Sequence, residues 1–508
     1  MDGDFTELRQ RLAEISDLGR ARALLAWDER TMMPRGGAEA LADQLATLAR
    51  LRHERLASDE LASLLDALRP RAERLPYDSD EASLVRVAQR DSDKARRVPA
   101  ELRAEITRTA SVAEHAWVEA RRSSDFSLFA PHLERNVELK RRYAECFEPF
   151  DHPYDPLLDD FEPEAKTAAV RPVLEELRRG LVPLIDAVRE SGHEVDDSPL
   201  RGSFPIARQR ELVGEVIAGL PLPADTWRLD ETVHPFATAI ATDDVRLTTR
   251  YDEAYLGTAL WGAMHEAGHA LYETGIDSGL RRTPLCRAPS LGFHESQSRL
   301  WENWVGRSRG FIEHLRPRLA TAFPDELANA TAEQIYRAAN RVEPSLIRVE
   351  ADEVTYNLHI VLRFELELQI FDRTLALEDL PEAWSEHMRE YLGVDVPDDA
   401  HGVLQDVHWA AGSFGYFPTY ALGNLIAAQI WDSASAALDD LDAMVGRGEL
   451  GPLREWLREH LHRHGGKFTP AEMLERLVGG LSVDPCLRHL ERRVRDVYDL
   501  GASAHIVR

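Results

Sequence analysis

Cysteine is scarce in this sequence. Its 508 residues contain three cysteines, Cys146, Cys286 and Cys486. They lie far apart, form no C-x-x-C pair and are odd in number, which excludes a disulfide framework and a cysteine-based metal or redox motif. Free thiols of this kind are typical of a reducing compartment, and we expect a cytoplasmic protein.

Long apolar runs and an excess of positive charge are also missing. Nowhere do about 18 apolar residues follow one another without interruption, and the segment MDGDFTELRQRLAEI has no basic region followed by an apolar run. Lysine and arginine number 61 against 88 aspartate and glutamate residues, a formal net charge of −27. Such a chain repels phosphate backbones and anionic lipid surfaces, so we expect no nucleic acid and no membrane as partner.

Gly/Ser linkers and fixed-period repeats are absent as well, whereas a hydrophobic content of 44% is enough for a large core. Residues 1–193 consist mainly of Ala-, Leu-, Glu- and Arg-rich stretches that predict long helices. A segment rich in Pro, Gly and Asp follows at about 194–235, where we expect a hinge. We therefore predict a mainly α protein in which 1–193 is a helical scaffold and 194–508 carries the functional site.

One stretch has a clear β pattern. Residues 234–251, HPFATAIATDDVRLTTRY, alternate on both sides of an Asp-Asp pair, and Val245, Leu247 and Thr249 share one face. The pattern predicts a β-hairpin that is followed closely by the segment 261–275.

The segment WGAMHEAGHALYETG, residues 261–275, has the strongest chemical signal. Its apolar residues recur with helical period and leave His265 and His269 on the opposite face. Positions i and i+4 stack one turn apart, close enough for one zinc ion to bind a nitrogen from each. Glu266 lies beside that position and is the expected proton acceptor. The alternative is a helix whose two histidines are hydrogen-bonded to solvent or to neighbours.

A catalytic zinc site needs a third protein ligand. The segment GFHESQSRLWENW offers Glu295, which follows His269 by 26 positions on a predicted second helix. Three other acids compete with it: Glu273, Asp277 and Glu302. We favour Glu295, because His₂Glu sites take their carboxylate from a downstream helix, and we regard Glu302 as its strongest rival and as a plausible partner for a ligating histidine.

Zinc peptidases also need a hydrogen-bond donor for the oxyanion. The segment 402–424 contains His408, Tyr416 and Tyr420. For each of these residues alone, a packed aromatic ring or a satisfied core histidine is the commoner explanation.

Six short segments occur in order along the chain: HPF (234–236), DVRLT (244–248), HEAGH (265–269), HESQ (294–297), RVEAD (348–352) and GVLQDVHW (402–409). In these segments the sequence resembles the carboxypeptidase Taq family of metallocarboxypeptidases, and the resemblance extends over essentially the whole chain. The resemblance implies a single metallocarboxypeptidase domain over residues 1–508.

The resemblance also implies roles for individual residues. His265, His269 and Glu295 are the implied metal ligands, and Glu266 is the implied general base. His234 is implied to contact the substrate backbone.

His408 and Tyr420 are implied to face the oxyanion, which makes Tyr416 less favoured. One departure concerns Leu346 and Ile347, where the family usually has Ile followed by Ser or Ala, and it bears on side-chain preference.

By the same resemblance we expect a large helical fold of two subdomains with a long active-site groove and a small β-sheet beside the metal. That architecture is similar to angiotensin-converting enzyme and the thimet-type oligopeptidases, and the family is usually homodimeric. The expected cofactor is Zn²⁺, with Co²⁺ as an alternative.

A carboxypeptidase must also bind the terminal carboxylate of its peptide substrate, and an arginine fork suits that group. Arg246, Arg250 and Arg348 are candidates. Each of them could instead serve an internal ion pair. The RVEAD segment of the family borders the groove, so we predict that Arg348 binds the carboxylate, with Arg246 in reserve.

The leading hypothesis is therefore a zinc carboxypeptidase that hydrolyses the C-terminal bond of peptides. A close alternative is a zinc oligopeptidase that cuts internally in short peptides. A catalytically silent helical binding protein is the third hypothesis, and it predicts loss of Glu266 or of a ligand, which the sequence does not show.

Overall fold

A computed structural model describes residues 3–501 of the chain. The fold is mainly α, as predicted, with 68% helix. Its α-helices are α1 Gly3–Thr31, α2 Ala38–Leu56, α3 Asp59–Ala72, α4 Asp80–Arg97, α5 Ala100–Ser123, α6 Ala130–Glu145, α7 Asp155–Leu158, α8 Thr167–Ser191, α9 Ile206–Gly219, α10 Gly257–Gly275, α11 Leu291–Arg299, α12 Arg309–Ala322, α13 Pro324–Leu327, α14 Ala332–Ala339, α15 Glu353–Phe371, α16 Leu380–Leu392, α17 Pro418–Ala437, α18 Leu441–Arg447, α19 Gly451–His460, α20 Pro470–Val478 and α21 Asp484–Val497.

Three strands complete the architecture: β1 Trp227–Glu231, β2 Ala237–Ala241 and β3 Asp244–Thr249. A π-helix, Leu300–Gly306, follows α11 directly, and short 3₁₀ helices join several elements. Within residues 3–501, no helix is both long enough and apolar enough to cross a membrane.

The chain forms two compact units that are interleaved along the sequence. Of the described residues, unit 1 contains 3–96, 196–339 and 430–480, and unit 2 contains 97–195, 340–429 and 481–501. The chain passes from unit 2 to unit 1 between residues 195 and 196, close to the division expected at about residue 194. The expected scaffold 1–193 is shared between both units, because residues far apart in sequence pack together in each. The expected groove and the likeness to angiotensin-converting enzyme and thimet-type oligopeptidases stay predictions.

In unit 1 a small sheet lies against α10. The predicted hairpin is confirmed: β2 pairs antiparallel with β3, with an irregularity between Ala239 and Ala241. Sequence reasoning missed β1, which pairs parallel with β3 and makes β3 the central strand. The buried side chains of Val245 and Leu247 alternate along β3, and the Thr249 hydroxyl donates to the carbonyl of Ala259 in α10.

Helix α1 packs on the sheet through Trp27. Arg228 of β1 and Arg246 of β3 are paired in register, and both guanidinium groups lie over the Trp27 ring, at 5.0 and 4.5 Å from its centroid. Two like charges opposite each other destabilise a strand pair. Here each has its own carboxylate, since Arg228 binds Asp230 and Arg246 binds Asp244, both with two hydrogen bonds.

Unit 2 is built around α15, which is buried on almost all sides and packs against α6, α8 and α16. A helix in this environment is expected to be apolar all round. Three polar residues nevertheless recur at i, i+4 and i+8 on one side of α15: His359, Arg363 and Glu367, all fully buried.

Glu367 connects α15 to the segment that follows α16 through hydrogen bonds. Its Oε2 accepts hydrogen bonds from the Tyr154 hydroxyl (2.5 Å) and the Gly415 amide (3.0 Å), and its Oε1 accepts one from the Trp409 indole (2.8 Å). Burial raises the pKa of Glu367 to about 7, although these three hydrogen bonds act in the opposite direction.

The raised pKa of Glu367 predicts a pH-dependent stability. The folded chain holds this proton more tightly than the unfolded chain, where the pKa is 4.5. The contribution to the free energy of unfolding is therefore complete below pH 4.5 and is lost as the pH rises through 7, by about 3 kcal/mol. We expect Glu367→Gln, which does not titrate, to become more stable relative to wild type between pH 5 and pH 8, as measured by urea denaturation. A difference of the same size at both pH values would contradict this interpretation.

Candidate active site

Helices α10 and α11 bring the three predicted metal ligands together. One nitrogen from each of His265 and His269 and one carboxylate oxygen of Glu295 lie within 4.8 Å of one another. The Oε2 atom of Glu295 is 3.7 Å from Nε2 of His265 and 3.6 Å from Nε2 of His269. The helix predicted over 261–275 is confirmed, and it ends at Gly275 as expected.

A glycine allows this arrangement. At Gly268 the backbones of α10 and α11 approach so closely that an added Cβ would lie 2.6 Å from the Cα of Ser298 and closer still to the carbonyl oxygen of Gln297. Real Cβ atoms essentially never approach backbone that closely. Glu295 therefore reaches the two histidines because residue 268 has no side chain.

Each histidine is oriented through its Nδ1 atom. Nδ1 of His265 donates to Oε2 of Glu302 at 3.0 Å, and Nδ1 of His269 donates to the carbonyl of His294 at 3.1 Å. With Nδ1 bonded in this way, the Nε2 atom of each histidine is the one that lies near Glu295. Metal-binding histidines are typically held in this way by a carboxylate or a carbonyl.

Glu302 is itself held by arginines. It lies in the π-helix that follows α11, and it accepts hydrogen bonds from Arg299 and Arg307 as well as from His265. Burial raises its pKa, but the bond from His265 and the two guanidinium charges outweigh burial and hold the pKa of Glu302 well below its usual range. Arg299 also binds Oε1 of Glu295 at 2.8 Å, so the other oxygen of Glu295 faces the histidines.

Glu266 is buried beside the ligands, with 6% of the residue exposed. Burial raises the pKa of its carboxyl to about 7, while the neighbouring His265 acts in the opposite direction. A carboxyl with this pKa can accept a proton and return it near neutral pH.

The competing acids have other partners. Glu273 lies 3.2 Å from Nε2 of His294, and Asp277 caps a short 3₁₀ helix by accepting the Gly279 amide. Glu302 contacts the Nδ1 side of His265, on the ring edge away from Glu295. The geometry thus brings Glu295, and none of these three acids, to the Nε2 side of both histidines.

Unit 2 collects a second group of predicted residues: Arg348, His408 and Tyr420. Nε2 of His408 lies 3.4 Å from the Tyr420 hydroxyl, and the guanidinium of Arg348 lies over the Tyr420 ring at 5.1 Å. Burial lowers the pKa of His408 to about 4, Asp406 raises it, and the charge of Arg348 lowers it further. His408 is therefore neutral at pH 7.

The remaining candidates are distributed over both units. His234 is exposed in the segment between β1 and β2 of unit 1, and Arg250 is exposed just after β3. Arg246 is bound by Asp244 and stacks on Trp27. Tyr416 of unit 2 packs against Phe161, His408 and Tyr420, which fits the packed-aromatic explanation.

Sequence reasoning missed two charged residues of unit 2. Asp406 binds Arg348 and Arg363, and Arg363 is fully buried in α15. A signal was available, because a buried helix with His, Arg and Glu at i, i+4 and i+8 is unusual. The predicted motif GVLQDVHW also contains Asp406, beside the candidate His408.

An H-E-x-x-H helix whose histidines face a carboxylate of the next helix is typical of metallopeptidases. The chain belongs to the carboxypeptidase Taq (M32) metallopeptidase family, whose model matches residues 7–494. The resemblance inferred from the six motifs is confirmed, and the protein is an enzyme, a metallocarboxypeptidase of this family.

Known relatives match it over nearly its whole length. The chain is 43% identical over 507 residues to thermostable carboxypeptidase 1 of Thermus thermophilus, with 97% of this chain and 98% of the relative covered. The fold is similar to the M32 carboxypeptidase of Deinococcus radiodurans R1, with a TM-score of 0.95, 40% identity and coverage of 98% and 100%. It is also similar to Pyrococcus furiosus carboxypeptidase, with a TM-score of 0.94, 35% identity and coverage of 97% and 99%.

The close approach at Gly268 predicts the effect of adding one methyl group. Gly268→Ala should push α11 away from α10, lower the free energy of unfolding by about 1–3 kcal/mol and weaken metal binding, because Glu295 moves with α11. Gly262→Ala on the same helix is the matched control, since its added Cβ lies 3.9 Å from the nearest side-chain atom. We expect the control to be neutral or stabilised by up to about 1 kcal/mol. Calorimetry and metal titration measure both effects, and equal behaviour of the two variants would contradict the packing argument.

Proposed function

We propose that the protein is a zinc carboxypeptidase that removes the C-terminal residue of peptides, with Glu266 as general base. The observation that carries this proposal is the ligand geometry: two Nε2 atoms and one carboxylate oxygen converge, and each histidine is oriented from behind. Peptides are the proposed substrates. The homodimer and the cytoplasmic location stay predictions.

The donor set fits a transition metal. Two imidazole nitrogens and one carboxylate oxygen form a His₂Glu set, which is typical of catalytic zinc sites that keep an open position. Magnesium prefers oxygen ligands in octahedral geometry. One solved relative, from Pyrococcus furiosus, is described as "Apo-Mg". For this chain we propose Zn²⁺, with Co²⁺ as the alternative.

Zinc in such a site supplies Lewis acidity, which acidifies water and polarises the scissile carbonyl. In the proposal the carboxylate of Glu266 accepts the proton of the attacking water and delivers it to the leaving amine. Neutral His408 and the Tyr420 hydroxyl can donate hydrogen bonds to the oxyanion, and His234 contacts the substrate backbone, as the family resemblance implies.

Recognition of a terminal carboxylate requires a local cation, because the whole chain carries a formal charge of −27. Arg348 donates from Nε and Nη2 to Asp406 and from Nη1 to the Tyr356 hydroxyl. In the described part of the chain these bonds use three of its five N–H donors, which leaves one on each terminal nitrogen. We propose that these two donors bind the carboxylate, with Arg246 in reserve.

Substitutions separate metal binding from catalysis. Glu266→Gln removes the proton acceptor but no ligand, so we expect about one metal ion per chain and turnover lower by about 10²–10⁴-fold. His269→Ala should lose the metal, whereas Glu302→Ala should weaken metal affinity by about 10–100-fold. Elemental analysis and peptide hydrolysis measure these effects. If Glu302→Ala empties the site while His269→Ala keeps its metal, the proposed ligand set is wrong.

A pair of peptides that differ only at the C-terminus tests carboxylate recognition. Wild type should strongly prefer the free acid over the amide. Arg348→Ala should lose most of that preference, because removing a charge-assisted contact costs roughly 1.5–3 kcal/mol in kcat/KM. Arg246→Ala is the comparison variant and should retain the preference. Equal cleavage of both peptides by wild type would favour the oligopeptidase alternative.

A further inference from the structure

Three buried charges of unit 2 form a directly bonded triad: Arg348, Asp406 and Arg363. Oδ1 of Asp406 accepts from Nε (3.1 Å) and Nη2 (2.7 Å) of Arg348. Oδ2 of the same carboxylate accepts from Nε of Arg363 at 2.7 Å, and Nη2 of Arg363 lies 2.6 Å from it. One carboxylate therefore serves two guanidinium groups.

The two arginines differ in their access to solvent. The side chain of Arg348 is 6% exposed and that of Asp406 is 11% exposed, whereas the side chain of Arg363 is 0% exposed. Arg363 stacks on Trp384 at 4.5 Å and donates from Nη1 to the carbonyl of His359. A ligand at the surface of unit 2 can reach Arg348 but cannot touch Arg363.

The charges of the triad do not cancel. Burial raises the pKa of Asp406, but the charges of Arg348 and Arg363 outweigh burial and hold that pKa well below its usual range. The triad therefore carries two positive charges and one negative charge. Glu367 lies one turn further along α15, where its three hydrogen bonds come from neutral donors, and no ion pair joins it to Arg363 among the described residues.

An arginine that is fully neutralised by a carboxylate has little attraction left for a second carboxylate. Without Arg363, the pair of Arg348 and Asp406 would be neutral. Its attraction for a substrate carboxylate would then not offset the cost of removing that carboxylate from water. Arg363 adds the charge that makes the cluster cationic.

We propose that Arg363 is a positioning residue that determines the preference for free C-termini: it binds Asp406, so that Arg348 keeps a net positive charge towards the terminal carboxylate of a peptide. This inference rests on the proposed role of Arg348.

The test measures the ratio of kcat/KM for the free-acid peptide to kcat/KM for its C-terminal amide. The ratio is internal to each variant, so a loss of correctly folded enzyme affects both peptides equally and cancels. The Arg363 guanidinium lies over the rings of Trp384 and Phe417, at 4.5 and 5.5 Å from their centroids. Arg363→Met fills similar space between these rings and leaves Asp406 paired with Arg348. We expect the ratio to fall on the order of tenfold, through a higher KM for the free acid.

Two further variants distinguish charge from packing. Arg363→Lys keeps the charge and should retain most of the wild-type ratio. The double variant Arg363→Met/Asp406→Asn removes one charge of each sign and returns the net charge of the cluster to that of wild type, so its ratio should come back to within about threefold of wild type. A purely structural role predicts no such recovery, because the second substitution removes more buried contacts.

Arg493→Met is the matched control. Arg493 is another arginine of unit 2; its side chain is 10% exposed and pairs with Glu353. Among the residues that the structure describes, no ion pair joins Arg493 to Asp406. Its ratio should equal that of wild type. An unchanged ratio in Arg363→Met, or a double variant as unselective as the single one, would overturn the inference and leave the role of Arg348 standing. Equal cleavage of the free-acid and amidated peptides by wild type would overturn the proposed roles of Arg363 and Arg348.

Discussion

The contact between α10 and α11 at Gly268 is the constraint on which the metal site depends. Because residue 268 has no side chain, the backbone around Gln297 and Ser298 lies against α10, and Glu295 on the same turn faces both histidines. The following π-helix then places Glu302 behind His265. π-Helices are frequent at functional sites, since the extra residue re-aims the side chains that follow it.

Buried or partly buried clusters of arginine and carboxylate side chains recur in this acidic protein, and the clusters differ in net charge. In unit 1 the arginines of β1 and β3 are each matched by one aspartate and share the Trp27 ring, so that surface is neutral. Near the metal ligands, Glu302 binds Arg299 and Arg307, and Glu295 also binds Arg299, so two carboxylates balance two guanidinium groups. In unit 2 a single Asp406 serves Arg348 and Arg363, and that cluster alone among these three retains a positive charge. A local cation against a background of −27 is suited to a carboxylate ligand.

Several elements of the fold and site could be predicted from local pattern. The helix of residues 261–275, the hairpin before it and the mainly α class follow from periodicities of 3.6 and 2, which depend on neighbours in sequence. Strand β1 was missed because it lies in a Pro- and Gly-rich region and because its partner is β3, with which it pairs in parallel rather than through a hairpin. Two subdomains were expected, but not which segments form each unit, because each unit combines three separate segments and pairing between distant segments leaves no local signature.

For the candidate site, spacing alone placed His265, Glu266 and His269 correctly on one helix, since four residues make about one turn. The choice among Glu273, Asp277, Glu295 and Glu302 depended on how α11 and the π-helix pack against α10, which no spacing rule contains. The same holds for the partners of the arginines. Arg246 and Arg348 are the same residue type in the sequence, and only the tertiary structure distinguishes them. Arg246 has Asp244 to itself, whereas Arg348 shares Asp406 with the buried Arg363. The physical reason is that burial and net local charge depend on residues distant in sequence.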